Sequence, residues 1–264
     1  MLTAGRKIMI KIKLFLEICR ERFSSLLFPK RCPVCDEILE PEDCENGIHP
    51  ACESKLYLIS KAVCMHCGRP IGDENQKETT REYCYDCIQN SYDKKSYVVQ
   101  AKSLYRYKGS VKKTMYRFKY SNKREYATFF AKQAVKRYGP WMKRIGVERI
   151  VPVPMHPKKQ RQRGYNQAES FAKELSKLTG IPVETKWVRR VKNTIPLKGL
   201  DPLQRKNNLK NAFHSKESVV QCKCVMIVDD IYTTGSTAEA VARELMKNGA
   251  HRVYLMTICI GEDR

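Results

Sequence analysis

Four close pairs of soft metal ligands between residues 32 and 87 constrain this chain more than any other feature. They are Cys32-x-x-Cys35, His49-x-x-Cys52, Cys64-x-x-Cys67 and Cys84-x-x-Cys87. Each pair can present two ligands from one tight turn to a tetrahedral Zn²⁺, and four pairs suffice for two ions. The second half, C-x2-C-x16-C-x2-C, has strong zinc-ribbon spacing. The first half is weaker, because it needs His49 and leaves Cys44 unassigned; Cys44 in place of His49 stays open. The segment carries few large apolar residues for its length, so its folding depends on metal and the zinc is expected to be structural. Consecutive pairing, 32/35/49/52 and 64/67/84/87, is favoured over a cross-braced arrangement. Although the chain has twelve cysteines, eight of the nine before residue 88 lie at or near these ligand positions and no signal peptide precedes them. A reducing cytoplasm is therefore expected rather than a disulfide scaffold.

A second constraint lies in CVMIVDDIYTTGST, Cys224 to Thr237. An apolar run of strand character, Val225 to Val228, ends in Asp229 and Asp230. The turn Thr233-Thr234-Gly235-Ser236-Thr237 then opens the helix-patterned AEAVARELMKNGA. At the C-terminal end of a parallel strand such a turn points backbone N–H groups and the positive end of a helix dipole at its ligand, which favours an anion and above all a phosphate. The two carboxylates would repel a bare phosphate but accept hydrogen bonds from vicinal sugar hydroxyls. The competing reading is an ordinary βα turn with a capping Ser or Thr.

Fifty Lys and Arg against 28 acids give a net charge of +22, which suits nucleic acid, phosphorylated ligands or an anionic surface, or else a solvated basic face. No apolar run approaches the roughly eighteen residues of a transmembrane helix. Residues 6–28 read as a basic amphipathic helix that packs on its own protein, on a partner or on a membrane surface. The polar stretch 72–82 reads as the tip of the second ribbon, and residues 91–95 as a domain boundary. The expected organisation is thus an N-terminal helix (1–29), a double zinc ribbon (30–93) and an α/β domain (94–264).

Between Ala101 and Arg124 there is no acid, and cations that include Lys112, Lys113, Arg117 and Lys119 alternate with Tyr105, Tyr107, Tyr116, Phe118 and Tyr120. These are the elements of a surface for single-stranded nucleic acid, yet a strand (103–107) and a helix (110–118) would bury several of the rings without any ligand. Further on, RIVPVP (149–154) is a short buried strand, followed by a basic loop into a helix over 167–179. In that loop Arg161 and Arg163 can chelate a pyrophosphate, Gly164 permits a close turn, and Asn166 or Gln167 can donate to the anion or cap the helix. His156 is a candidate at the same place, with a structural role as the alternative. A strand-like VETKWVRRV (183–191) follows, and VYLMTICI (253–260) completes the sheet with Cys259 buried.

VMIVDDIYTTGST resembles the phosphoribosyl-pyrophosphate (PRPP) loop of type I phosphoribosyltransferases. PVPMHP and RQRGYNQ, with RFKYSN and the paired knuckles, are similar to the ComF (ComFC-like) family of competence proteins. The resemblance implies an α/β fold of type I phosphoribosyltransferase kind, a Rossmann-like, mostly parallel sheet with flanking helices, preceded by the small zinc-ribbon domain and the N-terminal helix. It also implies that Asp229 and Asp230 hold the ribose hydroxyls and Thr233 to Thr237 its 5′-phosphate. Arg161 and Arg163, with Mg²⁺, would stabilise the leaving pyrophosphate around an oxocarbenium-like state. Lys119 falls at the active-site mouth, and residues 193–213 form a loop and helix closing over substrate. The implied setting is DNA uptake and natural transformation, with single-stranded DNA and a helicase of the ComFA type as partners. Purine phosphoribosyltransferases usually carry a further acid where this chain has Thr233, and the family more often has Gln at Lys198, so the acceptor stays open. A nucleic-acid-binding or helicase-adaptor protein that uses PRPP only as an effector is the alternative.

Overall fold

A computed structural model describes residues 29–59, 62–71, 82–93, 96–192, 209, 211–215 and 222–261. The chain divides into two compact units, Met1–Ser54 and Lys55–Arg264. In the first, an antiparallel bridge joins Arg31 to Ile38 and a single helical turn, α1 (Pro50–Glu53), carries Cys52. Among the described residues of this unit the buried apolar side chains are Cys32, Val34, Leu39, Ile48 and Cys52.

The second unit opens with the second pair of knuckles, bridged antiparallel at Val63 and Pro70, and α2 (Tyr85–Asp93). There follow β1 (Val98–Arg106), α3 (Gly109–Tyr120), α4 (Tyr126–Ile145), β2 (Arg149–Pro152), α5 (Pro157–Arg163), α6 (Gln167–Thr179), β3 (Val188–Arg190), β4 (Phe213–Ser215), β5 (Cys224–Tyr232), α7 (Ser236–Lys247) and β6 (Arg252–Ile260). Among the described residues the main sheet has the order β1-β6-β5-β2 and every pairing is parallel. A parallel bridge from Ile150 to Val183 extends it by one residue pair, and β3 and β4 form a separate antiparallel ribbon.

The pattern of burial follows from the topology. Parallel sheets are covered on both faces, so β5 and β6 are apolar at consecutive positions rather than at alternate ones. Val225, Ile227, Val253 and Leu255 meet Val241, Ala242 and Leu245 of α7 in one core. On the other face Trp141 of α4 packs edge-on against Tyr254, 5.8 Å between ring centroids. A buried hydrogen bond of 2.6 Å between Ser103 and Thr257 ties β1 to β6. Helix α4 ends where Gly146 turns left-handed at φ 69° and its N–H and that of Val147 cap the last carbonyls.

The architecture is the α/β class expected, a parallel sheet flanked by helices and preceded by zinc-ribbon turns. Three local readings change. Strand β5 runs through Asp229 and Asp230 to Tyr232, because its pairing with β6 continues past the acids to Ile260. The basic loop is helical over Pro157–Arg163, since His156 caps it, Pro157 suits its first turn and Gly164 at φ 80° ends it. Only Val188–Arg190 and the bridge at Val183 are extended within 183–191. The expected N-terminal helix, the ribbon tip at 72–81 and most of the covering loop (193–208) lie outside the described residues. No helix among those described is long and apolar enough to cross a membrane.

The aromatic segment divides in two. Tyr105 and Phe118 are fully buried, Phe118 packing against Phe130 at 5.6 Å and Tyr165 at 5.9 Å, while Tyr116 and Tyr120 are 62% and 58% exposed. Phe118→Ala should therefore cost about 3–5 kcal/mol in urea unfolding, whereas Tyr116→Ala should leave the midpoint nearly unchanged.

Candidate functional site

Among the described residues two groups can hold a metal, Cys32/Cys35/His49/Cys52 and Cys64/Cys67/Cys84/Cys87, with the ligand atoms of each within 4.8 Å of one another. Tetrahedral Zn²⁺ with Zn–S near 2.3 Å separates its sulfurs by about 3.8 Å, so these groups fit the ion. Cys35 Sγ lies 3.3 Å from His49 Nδ1, and Cys67 Sγ 3.5 Å from Cys84 Sγ. His49 Nε2 stands 3.0 Å from the Ile38 carbonyl; donating there leaves Nδ1 for the metal. Cys44 instead points its thiol at the Leu39 carbonyl, 3.8 Å away and outside the group. Sequence reasoning passed over His66, which sits between Cys64 and Cys67; its Nδ1 is 3.3 Å from Cys87 Sγ and its Nε2 3.0 Å from the Val98 carbonyl.

The second candidate site is at the C-terminal end of β5. Asp229 and Asp230 are partly buried on adjacent positions of the strand, and the Asp230 N–H donates to Asp229 Oδ1 at 2.8 Å. Burial first, and the neighbouring Asp230 charge second, push the Asp229 carboxyl up to about 7. Lys119, from the end of α3, places its Nζ 2.8 Å from Asp230 Oδ2. Burial works against the Lys119 charge, yet Asp230 outweighs it and the ammonium is held above its usual range. Lys119 thus faces the acids, whereas Lys112 and Lys113 lie exposed on α3 with Arg117 partly so.

Beyond Asp230 the chain turns through Thr233 and Thr234, both exposed, to Gly235 at φ 75°, which precedes Ser236 and Thr237 in the first turn of α7. Thr234 and Ser236 share a hydroxyl hydrogen bond of 2.9 Å, and neither caps the helix with its side chain. The first amides of α7 have no acceptor within their own helix and face the turn. Gly235 is needed twice over: its φ is left-handed, and a Cβ there would come within 2.7 Å of the Tyr232 hydroxyl.

The basic helix α5 supplies the opposing charge. Arg163 stacks over Tyr120 at 4.9 Å, donates to the Tyr120 hydroxyl at 3.1 Å and reaches Gln167 Oε1 at 3.3 Å; Arg161 is exposed. Lys159 is held below its usual range by burial first and then by the charges of Arg190 and Arg163, so the three cations lie close enough to act on one another. Arg190 itself is lowered by burial, with Asp229 pulling the other way. Neither Lys159 nor Arg190 stood out in the sequence, because a strand that ends in two arginines resembles any solvated edge. Other motif residues turn inward. Asn166 caps α6, accepting from the Ala168 N–H and donating to the Val153 carbonyl, while Gln167 donates to the carbonyls of Phe118 and Lys119. His156 accepts from the Lys158 N–H, and Arg124 fastens the Gly164 carbonyl at 2.8 Å. A neighbouring cavity of about 430 Å³ is lined by His156, Gln160, Asn166 and Arg190.

A double zinc ribbon domain model matches residues 23–88. Competence protein F of Haemophilus influenzae is 30% identical over 221 residues, 80% of this chain and 89% of the relative. The DNA utilization protein YhgH of Escherichia coli is 29% identical over 216 residues, 81% and 90% respectively. Among solved structures, adenine phosphoribosyltransferase of Saccharomyces cerevisiae, 15% identical, overlays 51% of this chain and 69% of that one at a TM-score of 0.32. Fold and ribbons together define a double-zinc-ribbon protein with a parallel α/β sheet flanked by helices. The chain belongs to the competence protein F (ComF) family.

Two outcomes follow. His49→Ala should lower bound zinc from two ions per chain to one by elemental analysis, and Cys44→Ser should leave it at two. Because the folded Asp229 carboxyl titrates near 7, above its unfolded value, its contribution favours folding at low pH and is lost as pH rises through about 7. Asp229→Asn, which keeps the Oδ1 acceptor, should raise the melting temperature relative to wild type at pH 8, and the gain should vanish towards pH 4.

Proposed function

We propose that the turn between β5 and α7 binds PRPP with Mg²⁺, and that the chain works with single-stranded DNA in uptake or utilisation. One observation carries the ligand reading: two adjacent carboxylates lie near the C-terminal end of a central parallel strand whose following turn opens a helix, with Lys119 on Asp230 and the charge of Arg190 acting on Asp229. In this reading Asp229 and Asp230 accept from the ribose hydroxyls, and the amides and hydroxyls of Thr233 to Thr237 take the 5′-phosphate. Arg163 and Lys159 offset the charge of the pyrophosphate, with Arg161 reaching in from the same helix. Mg²⁺, when bound, neutralises that pyrophosphate as it leaves. Lys119 orients Asp230 before the ligand arrives. Asn166, Gln167 and His156 keep the surrounding helices in place.

The chemistry asked of the protein is positional and electrostatic, so a phosphoribosyltransferase of undetermined acceptor is the enzymatic form of this reading. The DNA part is supported by relatives named for competence and for DNA utilization, and by the exposed face of α3. There Tyr116 and Tyr120 lie one helical turn apart with centroids at 5.0 Å, flanked by the exposed Lys112 and Lys113. Such a face offers rings to bases and cations to the backbone.

Calorimetry tests the ligand. Wild type should bind Mg·PRPP, and Asp229→Asn/Asp230→Asn should weaken it by roughly 100-fold, since two hydrogen bonds to carboxylates become weaker bonds to neutral amides. Absence of wild-type binding would remove the reading. For DNA, titrating an oligonucleotide at several salt concentrations should give a log–log slope about 1.4 units shallower for Lys112→Ala/Lys113→Ala. Tyr116→Ala should weaken binding at every salt by about 1–3 kcal/mol without changing that slope.

A further inference from the structure

We infer that the second zinc ribbon is the platform that holds the β5–α7 turn in its ligand-ready shape, with Arg69 as the positioning residue. This rests on the reading of that turn as the PRPP site. Three contacts join the four-cysteine group to the turn. Tyr232, the last residue of β5, packs against the cluster of Cys64, Cys67, Ile71 and Cys84. Its hydroxyl fills the space beside Gly235, so the ring is a wedge between the ribbon and the turn.

Arg69 makes the second contact. It is 8% exposed, lies two residues beyond the Cys64–Cys67 knuckle, and donates from Nη2 to the Thr233 carbonyl at 3.2 Å. The same nitrogen lies 3.7 Å from Asp86, which sits between Cys84 and Cys87 in the other knuckle. The guanidinium therefore belongs to one knuckle and is aimed by the other. A metal is what joins the two knuckles, because four sulfurs are drawn to one point only when an ion is held there.

The third contact reaches the helix behind the turn. From Cys87 Sγ the path runs to His66 Nδ1 at 3.3 Å, and from His66 Nε2 to Ser96 Oγ at 3.1 Å. Ser96 donates to Glu239 in the first turn of α7, whose other oxygen accepts the Tyr97 N–H at 2.9 Å. The turn and the start of its helix are thus reached from one cluster by separate routes. A glycine-bearing turn with exposed threonines loses backbone freedom when it closes on a ligand; a turn already held loses less and binds more tightly.

The experiment uses the full chain with both zinc ions, comparing wild type, Arg69→Gln and Arg69→Lys. Zinc content, hydrogen exchange of the amides at 233–241 and Mg·PRPP calorimetry are read together. With two zinc ions retained, Arg69→Gln should speed exchange at 233–241 and weaken Mg·PRPP by about tenfold or more, leaving β6 unchanged, and Arg69→Lys should restore most of both. Chelation of wild type should likewise quicken the turn before β6. Wild-type exchange at 233–241 in zinc-replete Arg69→Gln, or in the chelated protein, overturns the inference. Should Arg69→Gln lose zinc, the chelated wild type and Arg69→Lys decide. If wild type binds no PRPP yet the turn loosens as described, the ligand reading falls and the coupling stands.

Discussion

The ion pair between Lys119 and Asp230 is the contact on which the α/β site depends. Two carboxylates on consecutive residues of a partly buried strand repel each other and lose hydration; a cation 2.8 Å away offsets part of both effects. Lys119 reaches that place because its neighbour Phe118 is anchored in a cluster of rings, which fixes the rotation of α3. Gln167 then binds the last carbonyls of the same helix. The rings, the buried amide of α6 and the acids of β5 are therefore one arrangement, and a change in the packing of α3 would be felt at the strand end.

The two ribbons stand differently in the molecule. The first forms the described part of the unit that ends at Ser54 and depends on its own four ligands and a few apolar side chains. The second is built into the sheet. Its knuckle backbone bonds to β1 where the Ala101 N–H donates to the His66 carbonyl, and Gly68 lies so close to the Ala101 carbonyl, 2.6 Å from a would-be Cβ, that no other residue fits. Such a ribbon shares the stability of the sheet and returns some of its own rigidity to it.

Much of the site was legible because its parts are contiguous. Helix α6 was read to its observed ends, Gln167–Thr179, from the Gly-Ile-Pro turn that follows it and a cap left open between Asn166 and Gln167, which the structure gives to Asn166. The strand, acid pair, turn and helix of β5–α7 form a local grammar, as do the C-x-x-C knuckles. What escaped are residues whose roles are defined by a neighbour distant in sequence: Arg69 at the Thr233 carbonyl, His66 beside Cys87, and the convergence of Lys159, Arg163 and Arg190. A lone arginine after a knuckle has no periodicity to mark it. The basic segment after β2 was read as loop because charged side chains without an apolar face give no helical period, although its caps are local.

By itself, then, the amino-acid sequence determined the class of the fold, the four ligand pairs and the order of strand, acids and turn, since each follows from spacing, propensity and the alternation or continuity of apolar residues. Tertiary structure alone decided between His49 and Cys44, divided the tyrosines of the basic segment between core and surface, and set Lys119 against Asp230. Those choices depend on which side chains are deprived of water together. A charge, a thiol or a ring takes its role from the partner that replaces the water, and that partner is supplied by the folded chain.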